Sequence, residues 1–365
     1  MTKKTSVTLI IILILIISAI CCGALVSCSG NDENYTIALI TGASGVTNRS
    51  AAQGTYAGIV SYCSGKNITY KYFVPEEDTE TSYSEAAEKA LEDGAKLIVF
   101  AGYNLSAAAK AAAENNKDRD FLLVDCYGDY EDINCFSVSF REEQAGFLAG
   151  YAAVTEGHTK LGFVSSGENE ITKKYLYGFI AGAEYAAVLY SVPQGEIKCW
   201  YTENSEDDRI KRLVMDWYGE GVQSIMICGE GIAKPVISAA NIMKGRTIGC
   251  DMDQAGNSER YLTSAVKNYE SVVMTLLESY FRLNKWDDTK EGKNVVFGIE
   301  TDSVGLPTGA GSFRFSAWST DSYETVYARL KSGKIPSPSP DSPPITAVFQ
   351  VVVITDVPVN GEQSE

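Results

Sequence analysis

Apolar runs that are continuous rather than alternating recur along this chain, and each leads into a small or polar loop and then a helical stretch. Leu97-Ile98-Val99-Phe100, Phe121-Leu122-Leu123-Val124, Leu161-Gly162-Phe163-Val164 and Ser224-Ile225-Met226-Ile227-Cys228 are of this kind. Strands covered on both faces read this way, because parallel sheets carry helices above and below. Strand and helix alternating at the spacing of crossover units give a doubly wound α/β sheet. The alternation runs from Tyr35–Ile40 to a strand ending at Asp125, then restarts near Leu161. Between the two series lies Ser137 to Tyr151, a short β-prone run followed by Arg141-Glu142-Glu143 and a helical pattern. Phe147, Leu148 and Tyr151 share one face there, and Ala145 and Gly146 are small enough for a neighbouring backbone to come close. Glu142 and Glu143 read as charge complementing the dipole at a helix start. The segment is a crossing between two lobes, and a functional site is expected between them.

The chain of 365 residues is long enough for two domains, each with its own core. Its formal charge is -16, and no basic cluster is present. Nucleic-acid binding through phosphate neutralisation is excluded on that ground. His158 is the only histidine. It precedes the amino end of a strand, the wrong place for the base of a Ser-His-Asp triad, so an enzyme is not expected. None of the cysteines has metal-ligand spacing, so neither a metal nor a cofactor is expected. Cys126 and Cys135 are the pair best placed to oxidise in an exported chain. Cys228 and Cys250 each end an apolar run and read as buried thiols.

Export is written at the start. Lys3 and Lys4 precede an apolar run from Val7 to Ile20, and Leu25-Val26-Ser27-Cys28 follows. The run of roughly 14 residues falls short of the about 20 that a membrane-spanning helix needs. A basic start, a short apolar run and a small residue before the cleavage point describe a secretory signal over residues 1–27. Leu25-Val26-Ser27-Cys28 resembles the bacterial lipobox, which implies lipidation of Cys28 and a polar tether over 28–34. The expected location is the outer face of the cell membrane. At the other end, residues 336–365 form a tail with a Pro/Ser-rich stretch, Ser337 to Pro344. Ile345 to Thr355 is strongly β-prone and is either an added edge strand or a segment that pairs with something else.

Further segments carry a family resemblance. They are Val138-Ser139-Phe140-Arg141-Glu142-Glu143-Gln144-Ala145-Gly146-Phe147-Leu148-Ala149-Gly150, Lys160-Leu161-Gly162-Phe163 and Tyr177-Gly178-Phe179-Ile180-Ala181-Gly182. Ile248-Gly249-Cys250-Asp251-Met252-Asp253-Gln254, Leu262-Thr263-Ser264-Ala265-Val266-Lys267 and Val304-Gly305-Leu306-Pro307 follow in order. Together they resemble the basic membrane protein family of bacterial substrate-binding lipoproteins, whose characterised members include purine nucleoside receptors of ABC importers. The resemblance implies two Rossmann-like lobes of type I periplasmic-binding-protein architecture, joined by three crossovers. The expected lobes are 35–138 with 255–300, and 139–254 with 301–335. Hinges are expected near Phe136–Ser139, Gln254–Tyr261 and Gly298–Val304. The implied partners are a small-molecule ligand, the membrane subunits of a transporter, and the membrane itself through the lipid.

In open α/β sheets, ligands bind outside the carboxyl ends of the strands. The candidate ligand-binding residues are therefore Gly42, Ser44, Gly45, Tyr103, Asn104, Asp125, Tyr127, Gly229, Asp251, Asp253 and Lys267. By resemblance, an Asp of the 251–254 segment and Lys267 hold a ribose. Carboxylates suit paired hydroxyls, since each accepts several hydrogen bonds. Asp253 can equally cap the turn that follows it, and Asp125 either holds a base edge or ends its strand. Substituting Asp253 or Lys267 is expected to weaken binding with little change in the melting temperature of the empty protein. Nucleoside-binding members of the family carry roughly Asp-x-Gly-Gly and Ser-Phe-Asn-Gln in the first loop, where this chain has Gly42-Ala43-Ser44-Gly45 and Ser50-Ala51-Ala52-Gln53. A second stacking Phe aligns with Ser205. Tyr103, Tyr127 and Trp200 are the candidate replacement rings. The function expected is solute capture for an importer, with a sensor-associated or surface interaction lipoprotein as the alternative.

Overall fold

A computed structural model of the chain describes residues 36–130, 134–202, 207–229, 231–286 and 294–355. The signal, Cys28, the tether, Ser205 and the last ten residues lie outside the described residues. The first lobe opens with β1 (Ile37–Ile40), α1 (Ala51–Cys63), β2 (Tyr70–Phe73) and α2 (Glu80–Glu92). It continues with β3 (Leu97–Ala101), α3 (Ser106–Asn115), β4 (Asp120–Val124) and β5 (Cys135–Phe140). The second lobe begins with α4 (Glu142–Thr155), β6 (Lys160–Ser165), α5 (Glu170–Leu189) and β7 (Gly195–Tyr201). Next come α6 (Asp207–Gly219), β8 (Ser224–Cys228), α7 (Ala233–Met243), β9 (Arg246–Asp251) and β10 (Tyr261–Lys267). The chain returns to the first lobe for α8 (Tyr269–Leu283) and β11 (Asn294–Phe297). It ends in the second lobe with β12 (Val304–Gly305), α9 (Thr320–Lys331) and β13 (Phe349–Ile354).

The first sheet has the order β11-β5-β4-β3-β1-β2, and the second β12-β10-β9-β8-β6-β7-β13. Every pairing is parallel except β12 on β10. β1, β3 and β8 are buried along their whole length, as two-sided helical cover demands. The strand order reverses beside β1 in one sheet and β6 in the other, and the carboxyl ends there open a crevice.

Glycines on α5 let it pack tightly against the crossing segment. A Cβ on Gly178 would lie 2.0 Å from the Glu143 carbonyl oxygen, and one on Gly182 would lie 1.9 Å from that of Phe147. α4 and α5 thus touch backbone to backbone, and α4 is buried on every side from Glu142 to Val154. Glu142 and Glu143 stand in the first turn of α4, where the sequence puts them to complement the dipole, and both are inside the protein.

Several boundaries differ from expectation. β10 pairs with β9 in the second sheet, so residues 255–267 are not part of the first lobe. Gln254–Tyr261 is the turn between those two strands rather than a hinge. β5 continues to Phe140, pairing with Phe297, so the first crossing lies at Arg141. The second crossing lies at Asn268 and the third spans 298–303, and hydrogen bonds tie the three together. The Arg141 amide donates to Phe297 O at 2.9 Å, the Asn268 amide to Ser303 O at 2.8 Å, and the Ile299 amide to Gln144 Oε1 at 2.8 Å.

The β-prone tail is an added edge strand: β13 runs parallel to β7, with Phe349 opposite Gly195. Glu184 fastens it, accepting the amides of Ala347, Val348 and Phe349 at 2.7, 2.9 and 3.0 Å. None of the six described cysteines forms a disulfide, Cys126 and Cys135 included. Both are buried free thiols in the same apolar cluster as Tyr130.

Candidate functional site

The crevice between the lobes holds a cavity of about 560 Å³. Its floor is made where β4, β9 and β10 end. Asp125 and Asp251 each leave their strand in the left-handed region, at φ 55° and 64°. Asp tolerates this region better than most residues because its short side chain bonds locally. Lys267 ends β10 with no exposed side-chain surface, and its Nζ lies 2.7 Å from Asp125 Oδ2, 2.9 Å from Glu142 Oε1 and 3.2 Å from Asp251 Oδ1. The Tyr269 hydroxyl donates to Asp125 Oδ2 at 2.6 Å, and that of Tyr175 to Asp251 Oδ1 at 3.2 Å. The rings of Phe140, Tyr175 and Tyr269 surround the ammonium at 5.6, 5.5 and 5.8 Å from their centroids.

Burial by itself penalises a charged lysine, but the facing carboxylates of Asp125 and Glu142 outweigh it and hold Lys267 protonated, well above its ordinary value. Burial acts the other way on Asp125, pushing its carboxyl up to about 6 against the pull of Lys267. Asp125 Oδ1 has no hydrogen-bond partner among the described residues. The floor therefore offers an acceptor that is already desolvated and already oriented. Asp125 belongs to the first lobe, and Glu142, Asp251 and Lys267 to the second, so the same ion cluster joins the lobes.

The wall on the first lobe is different. The β1–α1 loop contributes Gly42, Ser44, Gly45, Asn48 and Ser50, and α1 adds Ala51 and Ala52. Asp78 Oδ1 accepts the Ala43 amide at 2.7 Å and fixes the loop. Arg49 reaches across the rim: its guanidinium donates to Asp253 O, while Gln254 Nε2 donates to Arg49 O at 2.9 Å. The second lobe answers with Ser166, Asn169, Thr172, Thr202 and Gly229. These are hydroxyls, amides and backbone, suited to a polar ligand without a phosphate, since the buried cation is already paired.

Gly42, Ser44, Gly45, Tyr103, Asn104, Asp125, Gly229, Asp251 and Lys267 line this cavity as expected from their strand-end positions. Tyr127 and Asp253 do not. Tyr127 stands beside the floor, its hydroxyl donating to Glu142 Oε1 at 3.3 Å and its ring tilted against Tyr103 at 6.0 Å. Asp253 lines a second cavity of about 460 Å³ on the far side of Lys267 and Tyr269, where Ser312 Oγ donates to it. The left-handed backbone at Asp251, followed by a Met252 amide bond to Cys250 O at 2.8 Å, turns the chain so that the two aspartates face opposite ways. Trp200 is buried in the core beneath α6 and α7, so it is no replacement ring. Sequence reasoning missed Glu142, Tyr175 and Tyr269 as parts of the floor. Tyr269 carried a usable signal, two residues after Lys267 at the start of a helix; Tyr175 carried none.

The family model for Bmp, described as ABC transporter substrate-binding protein PnrA-like, matches residues 37–327. The ABC transporter nucleoside-binding protein BmpA of Lactococcus lactis is 26% identical over 280 residues, covering 70% of this chain and 75% of that protein. Basic membrane protein B of Borreliella burgdorferi is 30% identical over 244 residues, covering 64% of this chain and 69% of that protein. In fold, the chain is similar to a crystal structure of an ABC transporter solute-binding protein from Aeropyrum pernix, with a TM-score of 0.67 at 15% identity over 82% of this chain and 91% of that one. The chain belongs to the Bmp family of PnrA-like ABC transporter substrate-binding proteins, and it binds solute rather than catalysing a reaction.

Proposed function

We propose that this chain is a lipid-anchored, extracytoplasmic receptor of an ABC importer that captures a nucleoside or a related small polar molecule by lobe closure. The observation that carries this is the floor, where Asp125 of one lobe meets Asp251 and Lys267 of the other within 3.2 Å of one ammonium. A ligand seated there touches both lobes at once, which is the condition for stabilising a closed state. Asp251, oriented by Lys267, would hold ribose hydroxyls, and the free Oδ1 of Asp125 would accept from a base edge. The name of the Lactococcus relative supports the ligand class. Cys28 would carry the lipid and 28–34 the tether, and the docked partners would be the transporter's membrane subunits. Among the described residues, no helix is long and apolar enough to cross a membrane.

A second reading, a cleft diverged toward a non-nucleoside ligand, is favoured by Ala51 and Ala52 on the wall, where the resemblance places a stacking ring and an amide. A thermal-shift series on residues 30–355 separates the two; β13 is kept because it completes the second sheet. Adenosine, guanosine and inosine should raise stability by about 2.7 kcal/mol at a hundredfold excess over the dissociation constant. No shift with any nucleoside, alongside a shift with free pentose or a small peptide, would replace the first reading by the second.

A further inference from the structure

Two cysteines stand side by side at the cleft floor, and solute capture uses neither. The register of β8 on β9 pairs Ser224 with Arg246, Ile225 with Thr247 and Met226 with Ile248. Two residues further on, the same register sets Cys228, the last residue of β8, beside Cys250, the next to last of β9. Both side chains are buried, and the Cys250 thiol donates to Asp251 Oδ2 at 3.3 Å. Neighbouring strands run roughly 4.8 Å apart, within the about 4.4–6.8 Å between Cα atoms that a disulfide spans. Side chains at paired positions project to the same face, so the sulfurs point together rather than apart. Cys228 lines the cleft cavity, which gives a reagent a path to it.

We propose that Cys228 and Cys250 are a redox dithiol that closes to a cross-strand disulfide when the chain meets a small or protein-borne disulfide. The Cys228 sulfur attacks one sulfur of the incoming disulfide, that S–S bond breaks, and one thiol leaves with the proton given up by Cys228. Cys250 then attacks the Cys228 sulfur of the mixed disulfide, and the second thiol leaves with the Cys250 proton. The chain loses two electrons and two protons, and the incoming disulfide is reduced to two thiols. Cys228 acts first because it faces the cavity, while Cys250 sits behind it. The new bond would tie together the strand ends that carry Gly229 and Asp251, so oxidised and reduced forms present different floors to a ligand. The setting rests on the extracytoplasmic location proposed above, but the chemistry does not.

The test treats the reduced, folded chain with hydroxyethyl disulfide, blocks remaining thiols, and reads intact mass and a peptide map. The expected result is a loss of two hydrogens per chain, reversed by dithiothreitol and mapped to one linked peptide pair containing Cys228 and Cys250. The Cys250→Ser variant should stop at a single mixed disulfide on Cys228. The proposal is overturned if the folded chain loses no hydrogens while the unfolded chain does, or if the link maps to Cys126 and Cys135. A Cys250→Ser chain that still loses two hydrogens overturns it as well; should that variant not fold, the peptide map of the unaltered chain decides alone.

Discussion

At the floor of the cleft, one ammonium is enclosed by three carboxylates and three aromatic rings, and its pair with Asp125 joins the two lobes. On the first-lobe wall of the same cavity stand Ala51 and Ala52, with hydroxyls, amides and backbone around them. The floor serves two purposes, holding the hinge closed-packed and presenting acceptors to a ligand, so a change there costs stability as well as binding. The wall carries no ion cluster, but Ala51 and Ala52 also pack against the core, so a change there costs less stability than one at the floor rather than none. Divergence of specificity within one scaffold is therefore expected on the wall, and that is where this chain departs from the nucleoside-binding pattern.

The largest break of that contrast is Lys267→Met. It leaves Asp125, Glu142 and Asp251 facing each other without their shared cation. Removing one partner of a buried ion pair typically costs about 3–5 kcal/mol, which in a chain this size lowers the melting temperature by on the order of 10 °C. This reverses the sequence-based expectation that Lys267 could be changed with little effect on the empty protein, because that expectation took the lysine for a ligand contact alone. Lowering the pH should return part of the loss, since the stranded carboxylates then take up protons. Melting curves of the unliganded variant across pH check both; an unchanged melting temperature would mean the floor is no more structural than the wall.

Glu143 sharpens the comparison, because it neighbours the floor without belonging to it. Burial pushes its carboxyl up to about 7, and among the described residues its oxygens accept no hydrogen bond and form one ion pair, with Arg141 Nη1 at 3.6 Å. A raised acid is protonated longer in the folded chain than in the unfolded one. Its contribution to stability therefore declines as pH rises from the ordinary carboxyl range to about 7, and the penalty is complete above that. Glu143→Gln should remove the penalty, stabilising the protein by on the order of 3 kcal/mol at pH 8 and by nothing measurable at pH 4. Denaturant unfolding at the two pH values reads the difference.

On the wall the expected effect moves from stability to binding. Ala51→Phe places a ring at the mouth of the cavity, and base–aromatic stacking is worth about 1–3 kcal/mol per base. Adenosine affinity should rise by about tenfold or more, while the empty chain melts a few degrees lower because Ala51 is packed against the core. Calorimetric titration checks the first and a thermal melt the second. A gain in affinity would show that the wall, and not the floor, limits nucleoside binding.

Much of this division was legible before any coordinates. Asp125, Asp251 and Lys267 end apolar runs, and strand ends are where ligands of open sheets sit, so periodicity located the floor. Gly146 announced a close helix contact through its size, whereas its counterparts Gly178 and Gly182 emerge only in the structure. What periodicity could not carry was anything decided by a local turn or by distant partners. β10 is framed by polar turns at both ends, so it read as part of a crossing, and only its pairing with β9 assigns it to the second lobe. Ile345 to Thr355 had strand composition without a partner until β7 and Glu184 supplied one. Glu142 resembled any acidic helix start, because nothing local tells a solvated carboxylate from one that reaches a lysine 125 positions later in the chain.

Asp253 gives the smallest expected effect and the finest discrimination. It stands two residues from Asp251, in a segment where sequence reasoning could not choose between them, but its carboxylate accepts Ser312 Oγ and the Ala255 amide, the latter at 3.0 Å, on the far side of the floor. Asp253→Asn keeps one oxygen to accept the Ala255 amide, and its Nδ2 can donate to Ser312 Oγ with the hydroxyl now accepting, so stability should fall by no more than about 1 kcal/mol. Affinity for any cleft ligand should stay within about twofold, whereas Asp251→Asn should lower it by tenfold or more, as the loss of a charge-assisted bond of about 1.5–3 kcal/mol implies. Paired titrations of the two variants with the same ligand decide the matter. Equal losses would mean that the loop rearranges to bring Asp253 into the cleft when a ligand binds, and that the division between floor and rear cavity holds only for the empty protein.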